Sequence, residues 1–232
     1  EAFAEMLGHL DARGIARVGG GRNLAEAHRP LIVEKHGLRI ALLGYNEFFP
    51  RSFEADADQP GSAWSEDERV VEDIRLARSE HRADLVIPFM HWGTEDDPVA
   101  NDRQRQLAHR MIDAGADAVV GTHPHVVQDA EVHRGKPIVY SLGNFVFDGF
   151  SHVDNNTGWL LWLQAGRDGV RRWRVEVARI DKEYEIAREQ HARKQPRSKP
   201  VSLAHARANR QHLPLAARQP PGEQRALARQ VG

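Results

Sequence analysis

Three histidines hold the clearest chemistry in this 232-residue sequence. His123 and His125 flank Pro124, and His91 follows the apolar run at 85–90. In an extended segment, residues two apart point the same way, and Pro124 stiffens the backbone between the two imidazoles. Two imidazoles held on one side of a loop suit a divalent metal. Taken alone, a His-x-His pair reads better as two surface histidines. His91, at the end of what reads as the neighbouring strand, tips the balance toward a metal site. Trp92, Gly93, Thr94 and Glu95 come next. Glu95 has the chemistry to ligate, to orient an imidazole or to act as acid or base. It reads equally well as a solvated carboxylate beside Asp96 and Asp97. Asn144, in Ser141-Leu142-Gly143-Asn144-Phe145, either hydrogen-bonds near the site or satisfies its own turn. His109 and His133 read as structural or exposed. His152, Asp154, Asn155 and Asn156 form a polar loop without ligand spacing.

Other chemistries fit poorly. The sequence has no cysteine, which excludes thiolate metal sites, disulfides and cysteine nucleophiles. It has no Gly-x-Ser-x-Gly elbow, no Walker phosphate loop and no His-Glu-x-x-His helix. Gly19-Gly20-Gly21 lacks the spacing of a phosphate cradle and reads as a tight turn.

The elements around the histidines follow from apolar periodicity. Phe3, Met6, Leu7 and Leu10 predict a helix over 1–14. Residues 30–35 and 38–45 read as strands joined by a two-residue turn at His36-Gly37, and 46–64 as a loop. Ser65 and Glu68 suggest a capping box for a helix carrying Val70, Val71, Ile74 and Ala77 on one face. Residues 85–90 read as a strand buried on both faces, 101–114 as a helix, and 118–120 as another buried strand. Strand, helix, strand, helix, strand implies parallel strands with helical crossovers. Residues 126–132, 137–140, 159–164 and 170–180 read as further strands, the last two as a hairpin. Chemistry on open parallel sheets collects beyond the carboxyl ends of strands, where His91 and the His123/His125 pair both fall.

Composition is ordinary for a globular chain, 41% hydrophobic and 28% charged, with net charge -1. Nothing global points to nucleic acid or an anionic membrane, and no run reaches the ~18 apolar residues of a membrane span. The charge is uneven. Residues 186–232 carry ten Lys/Arg against two Asp/Glu, or +8, which leaves -9 on residues 1–185. That late segment has no aromatic residue and no apolar period, so it reads as a basic disordered tail. The first residue is Glu1, so the sequence reads either as one from which something was removed or as one that begins inside a longer gene product.

The ordered motifs together resemble a known family. They are His91-Trp92-Gly93-Thr94-Glu95, the block from Ala114-Gly115-Ala116-Asp117 through Gly121-Thr122-His123-Pro124-His125-Val126-Val127-Gln128, and Tyr140-Ser141-Leu142-Gly143-Asn144-Phe145-Val146-Phe147-Asp148. With Gly21-Arg22-Asn23-Leu24-Ala25-Glu26-Ala27, they resemble the CapA-type proteins of poly-gamma-glutamate capsule biosynthesis over residues 1–180. That family is similar to the calcineurin-like metallophosphatases. The resemblance implies an α/β sandwich of two mixed sheets flanked by helices, around a site for two divalent ions (Mn, Fe, Zn or Mg). His91 and His123 would share one metal and His125 would help bind the second, with Glu95 and Asn144 as the catalytic candidates. The family's earlier Asp-bearing strand and Asn-Asn-His motif have no counterpart here. The resemblance therefore implies a domain over 1–185 that is incomplete at its N-terminus and inactive alone. Its edge strand would be left open to a partner chain. The implied ligand is an anionic small molecule or polyglutamate, with no specific nucleic acid. The implied setting is the cell envelope or extracellular face, with any membrane anchor in a preceding segment. A non-catalytic accessory domain that binds polymer or partner proteins on the same fold is the alternative.

Overall fold

The computed structural model describes residues 2–48, 50–147 and 152–180, and the backbone of 186–188. Helix α1 spans Ala2–Ala12 and buries Leu7. The glycine turn becomes a two-residue strand, β1 (Gly20–Gly21), and a short helix follows, α2 (Leu24–Ala27), capped by the Asn23 side chain. Strands β2 (Leu31–Lys35) and β3 (Leu38–Asn46) form the expected hairpin. His36 and Gly37 both have positive φ, 51° and 74°, as a primed two-residue turn requires. The segment expected to be loop contains a 3-10 turn, Arg51–Phe53, and β4 (Gly61–Ser62), which pairs with β1.

Helix α3 covers Asp67–Ser79 and helix α4 covers Asp102–Ala114. The cap of α3 differs from expectation: Glu66 occupies the N-cap with no side-chain bond, and the Ser65 hydroxyl is buried without a partner. Ser65 sits one residue too early, so Glu68 cannot reach back to it as a capping box needs. The capping box belongs instead to α4, where Asn101 and Gln104 bond reciprocally, and Gly115 at φ 119° ends that helix.

The remaining strands are β5 (Leu85–His91), β6 (Val119–Thr122), β7 (Ala130–His133), β8 (Lys136–Val139), β9 (Thr157–Gly166), β10 (Gly169–Ile180) and β11 (Ile186–Arg188). Six of them form one mixed sheet in the order β2-β3-β5-β6-β8-β7. Its centre is parallel, β3 to β5 to β6 to β8, and both edges are antiparallel hairpin partners. Strand β7 starts at Ala130, later than the expected 126, because the chain is still leaving the histidine loop there. A second sheet, β11-β10-β9, is antiparallel throughout among the described residues. Residues 186–188 therefore pair with β10, and the rest of the basic segment lies outside the described residues. No described helix is long and apolar enough to cross a membrane.

Alternation along the strands gives the large sheet two different faces. Leu43, Val86, Met90 and Val119 turn toward α3 and α4 and join Val70, Ile74, Leu107 and Met111 in the main core. Ile87, Ala118 and Val120 turn the other way and pack on Leu161, Leu163 and Val170 of the second sheet. The fold is thus an α/β sandwich: helices, mixed sheet, antiparallel sheet. Asp117 ties the layers' lower edge together. It is 3% exposed, accepts the Val86 N–H at 2.9 Å and pairs with Arg78.

Candidate functional site

Strands β5 and β6 lie side by side with His91 opposite Thr122. His91 falls on the same strand face as Ile87, the face away from the helices. Strand β6 ends at Thr122, and the chain turns over through His123 at φ 99° and His125 at φ 58°. The extended His-Pro-His segment expected from the sequence does not form. Two non-glycine residues in the left-handed region instead fold the loop back over the strand ends. Each such residue costs on the order of 1–3 kcal/mol and persists only where its surroundings fix it. The ring centroids of His91 and His123 lie 4.5 Å apart and those of His123 and His125 6.3 Å apart. The structure therefore brings the three imidazoles together, by a strained turn and not by strand alternation.

What fixes the turn is a set of amides that sequence reasoning had placed in a polar loop or a plain turn. Asn144, 7% exposed, accepts the His125 Nδ1–H on Oδ1 at 2.8 Å and donates from Nδ2 to the carbonyls of His125 (3.2 Å) and Asn155 (2.8 Å). Because both Nδ2 partners are carbonyls, Oδ1 must be the end facing the ring. That assigns a proton to His125 Nδ1. Asn155 Nδ2 donates to Asp96 at 2.7 Å and to the His125 carbonyl at 3.3 Å, and the Asp96 N–H donates to the Pro124 carbonyl at 2.8 Å. Asn144 is thus a positioning residue whose polar atoms are consumed by the loop. In the sequence Asn144 reads as either a hydrogen-bond partner near the site or a turn residue, and Asn155 only as part of a polar loop.

Aromatic rings wall the cluster. Phe48 stands 4.8 Å from His123 and 6.3 Å from His91, and Phe147 stands 5.0 Å from His125. Crowding of this kind costs an imidazolium its hydration. Burial pushes the His91 pKa down, and repulsion from His123 and His125 adds to it while Glu95 opposes. Burial likewise pushes His123 down, opposed by Glu95 and helped by His125. Both rings therefore favour the neutral form, which is the one that ligates. Glu95 itself is exposed on the loop after β5 and acts on the rings through its field. The nearby Glu47, just after β3, pairs one carboxylate oxygen with Arg103 at 2.6 Å, and its Oε2 is buried with no hydrogen-bond partner among the described residues.

The donor set fits one divalent ion in chemistry: three imidazoles, two of them favouring the neutral form and the third held through its Nδ1–H. The ring placement is not yet a chelate, and no three His, Asp or Glu groups among the described residues are arranged to hold an ion as they stand. The planes of His91 and His123 differ by 32°. His109 and His133, stacked at 4.2 Å, are bonded to Glu131 and Asp113 and take no part.

Residues 1–149 match the family described as bacterial capsule synthesis protein PGA_cap. The chain is 41% identical over 183 residues to the PGA biosynthesis protein CapA of Bacillus subtilis (strain 168), covering 78% of this chain and 47% of that one. It is 41% identical over 133 residues to the capsule biosynthesis protein CapA of Bacillus anthracis, covering 56% and 32% respectively. The chain thus spans less than half the length of these curated relatives. Among solved structures, the sulfate thiohydrolase SoxB of Thermus thermophilus matches at 14% identity with a TM-score of 0.43, over 77% of this chain and 27% of that one. That likeness is too loose to bear on chemistry. The sequence match takes in His91, the clamped His-Pro-His turn and Asn144, and by it the chain belongs to the bacterial capsule synthesis family PGA_cap.

Proposed function

We propose that this chain is the histidine-bearing part of a capsule biosynthesis protein and presents one divalent ion to an anionic group of a polyglutamate-type polymer. The observation that carries the reading is the clamped turn. A strained backbone and a buried asparagine together hold one imidazole in place beside two others. Strain maintained at a cluster of potential ligands is a mark of function. When bound, the ion would supply Lewis acidity toward an anionic oxygen. His91, His123 and His125 would hold it, Asn144 would keep the His125 ring in its tautomer, and Phe48 and Phe147 would exclude water from the rim.

Charge favours binding over turnover by this chain alone. Three imidazoles hold an ion but bring no negative charge to offset a second one, and Glu95 is the carboxylate that acts on both His91 and His123 among the described residues. A two-metal hydrolytic site needs a bridging ligand. The relatives' names point to polymer synthesis, so hydrolysis belongs, on this reading, to a more complete site. The second reading, an accessory domain that binds polymer without metal, draws support from the unfinished chelate. Polyglutamate binding measured by calorimetry with and without zinc separates the two. The proposal expects a zinc-dependent gain in affinity that His123→Ala removes, with phosphodiester turnover near background. Equal binding with and without zinc would favour the accessory reading.

A further inference from the structure

On the opposite face of the large sheet lies a cleft of about 510 Å³ that the histidine cluster does not use. One wall is a stripe of α3 and its cap: Arg69, Asp73, Leu76 and Glu80 recur at i, i+4, i+7 and i+11. The other wall is the segment from Asn23 to Pro30. At its floor, Asp73 (6% exposed) receives two hydrogen bonds on one oxygen, from His28 Nδ1–H at 2.7 Å and from the Tyr45 hydroxyl at 3.0 Å. Burial, with Asp73 beside it, pushes the Tyr45 phenol well up, so that proton stays on tyrosine. The bond to Asp73 occupies Nδ1, and His28 Nε2 has no hydrogen-bond partner among the described residues, although His28 is only 8% exposed. Arg29 and Arg69 line the same cleft and form no ion pair among the described residues.

A purely structural role accounts for part of this. The His28–Asp73–Tyr45 network pins α2 to α3 and to β3. It does not account for an open imidazole nitrogen with two unpaired guanidinium groups around one cavity. We propose that this cleft is a second ligand site, for a carboxylate that carries an N–H donor close by, as in an acylated amino acid or a peptide end. The guanidinium groups of Arg29 and Arg69 hold the carboxylate, the charge-assisted geometry for which arginine is suited. His28 Nε2 accepts the N–H. Glu80, further along the stripe, disfavours ligands of higher negative charge such as phosphate. The inference is independent of the metal reading, because α3 and the histidine cluster lie on different faces of the sheet.

The test is a titration of the full chain followed by ¹H–¹⁵N NMR, with N-acetylglycine as probe. The proposal expects saturable shifts in the His28 ring and in the Arg29 and Arg69 side chains. Acetate, which lacks the N–H, and N-acetylglycinamide, which lacks the charge, should each bind at least about fivefold more weakly, on the order of 1 kcal/mol. Arg29→Gln and Arg69→Gln alter exposed side chains and should leave the fold intact while weakening binding about tenfold. His123→Ala should change nothing. Tighter binding of inorganic phosphate than of N-acetylglycine would overturn the assignment. So would indifference to both arginine substitutions, or the absence of any shift at 50-fold excess over a ~1 mM dissociation constant.

Discussion

Replacing Asn144 by alanine removes a buried side chain that controls the candidate site. Three hydrogen bonds disappear: one from His125 Nδ1–H and two to the His125 and Asn155 carbonyls. Each is worth a net ~0.5–1.5 kcal/mol, and carbonyls left unpaired in a buried setting push the cost upward. The Asn155 Nδ2 contact at 3.3 Å still reaches the His125 carbonyl, so that group is not orphaned. The expected loss is therefore about 2–4 kcal/mol, or a fall in Tm of roughly 4–16 °C for a domain of this size. His125 would also lose its fixed tautomer, and supporting residues of this kind are worth ~10–100-fold in metal affinity. Asn144→Asp separates the two effects. It keeps an acceptor for Nδ1–H but loses both donations, so it should remain destabilised while binding zinc far better than the alanine variant. Thermal unfolding and zinc calorimetry on both variants read this directly. Zinc affinity unchanged within twofold in Asn144→Ala would refute the positioning argument, whatever happens to Tm.

Other consequences follow from the same geometry. Gly121→Ala would place a Cβ 1.9 Å from the Tyr140 carbonyl and 2.5 Å from Trp92 Nε1. It should break their 3.0 Å hydrogen bond and cost about 1–3 kcal/mol by overpacking, visible in urea unfolding together with weaker zinc binding. Asp117→Ala strips the buried Val86 N–H of its partner, while Arg78 keeps the carbonyls of Ala83, Asp84 and Gly115, and should cost about 1–3 kcal/mol in urea unfolding without moving the histidines. The pKa values of His91 and His123 are lowered in the folded protein, so near and below pH ~6.5 the unfolded chain binds more protons. Stability of the metal-free protein should then be full above that pH and fall as pH drops through the lowered folded range. Urea midpoints across pH 5–7.5 check this, and a His91→Gln/His123→Gln variant should show a shallower slope.

The sequence exposes the parallel centre of the fold because its signals are local. Residues 85–90 and 118–120 are apolar runs bounded by helices, and such runs have few alternatives to a buried parallel strand. The grouping of His91 with His123 and His125 followed from strand ends alone. The manner of it did not. Positive φ at His123 and His125 is set by Asn144, Asn155 and Asp96, residues 19 or more positions away or across a loop, and no local pattern announces such a clamp. The cap of α3 shows the reverse failure, a correct local motif at Ser65 overridden when the chain enters the helix at Glu66. The cleft over His28 was invisible for a similar reason. His28 and Asp73 are 45 residues apart and meet only through packing of α2 on α3.

The central claim is that His91, His123 and His125 together hold one divalent ion. Zinc titration of the metal-free chain by calorimetry, repeated on His91→Ala, His123→Ala and His125→Ala, tests it most directly. The account predicts one ion per chain and a loss of at least about tenfold in affinity for each single substitution, the floor for removing even a supporting residue. Two tightly bound ions, or an affinity indifferent to His91, would contradict it.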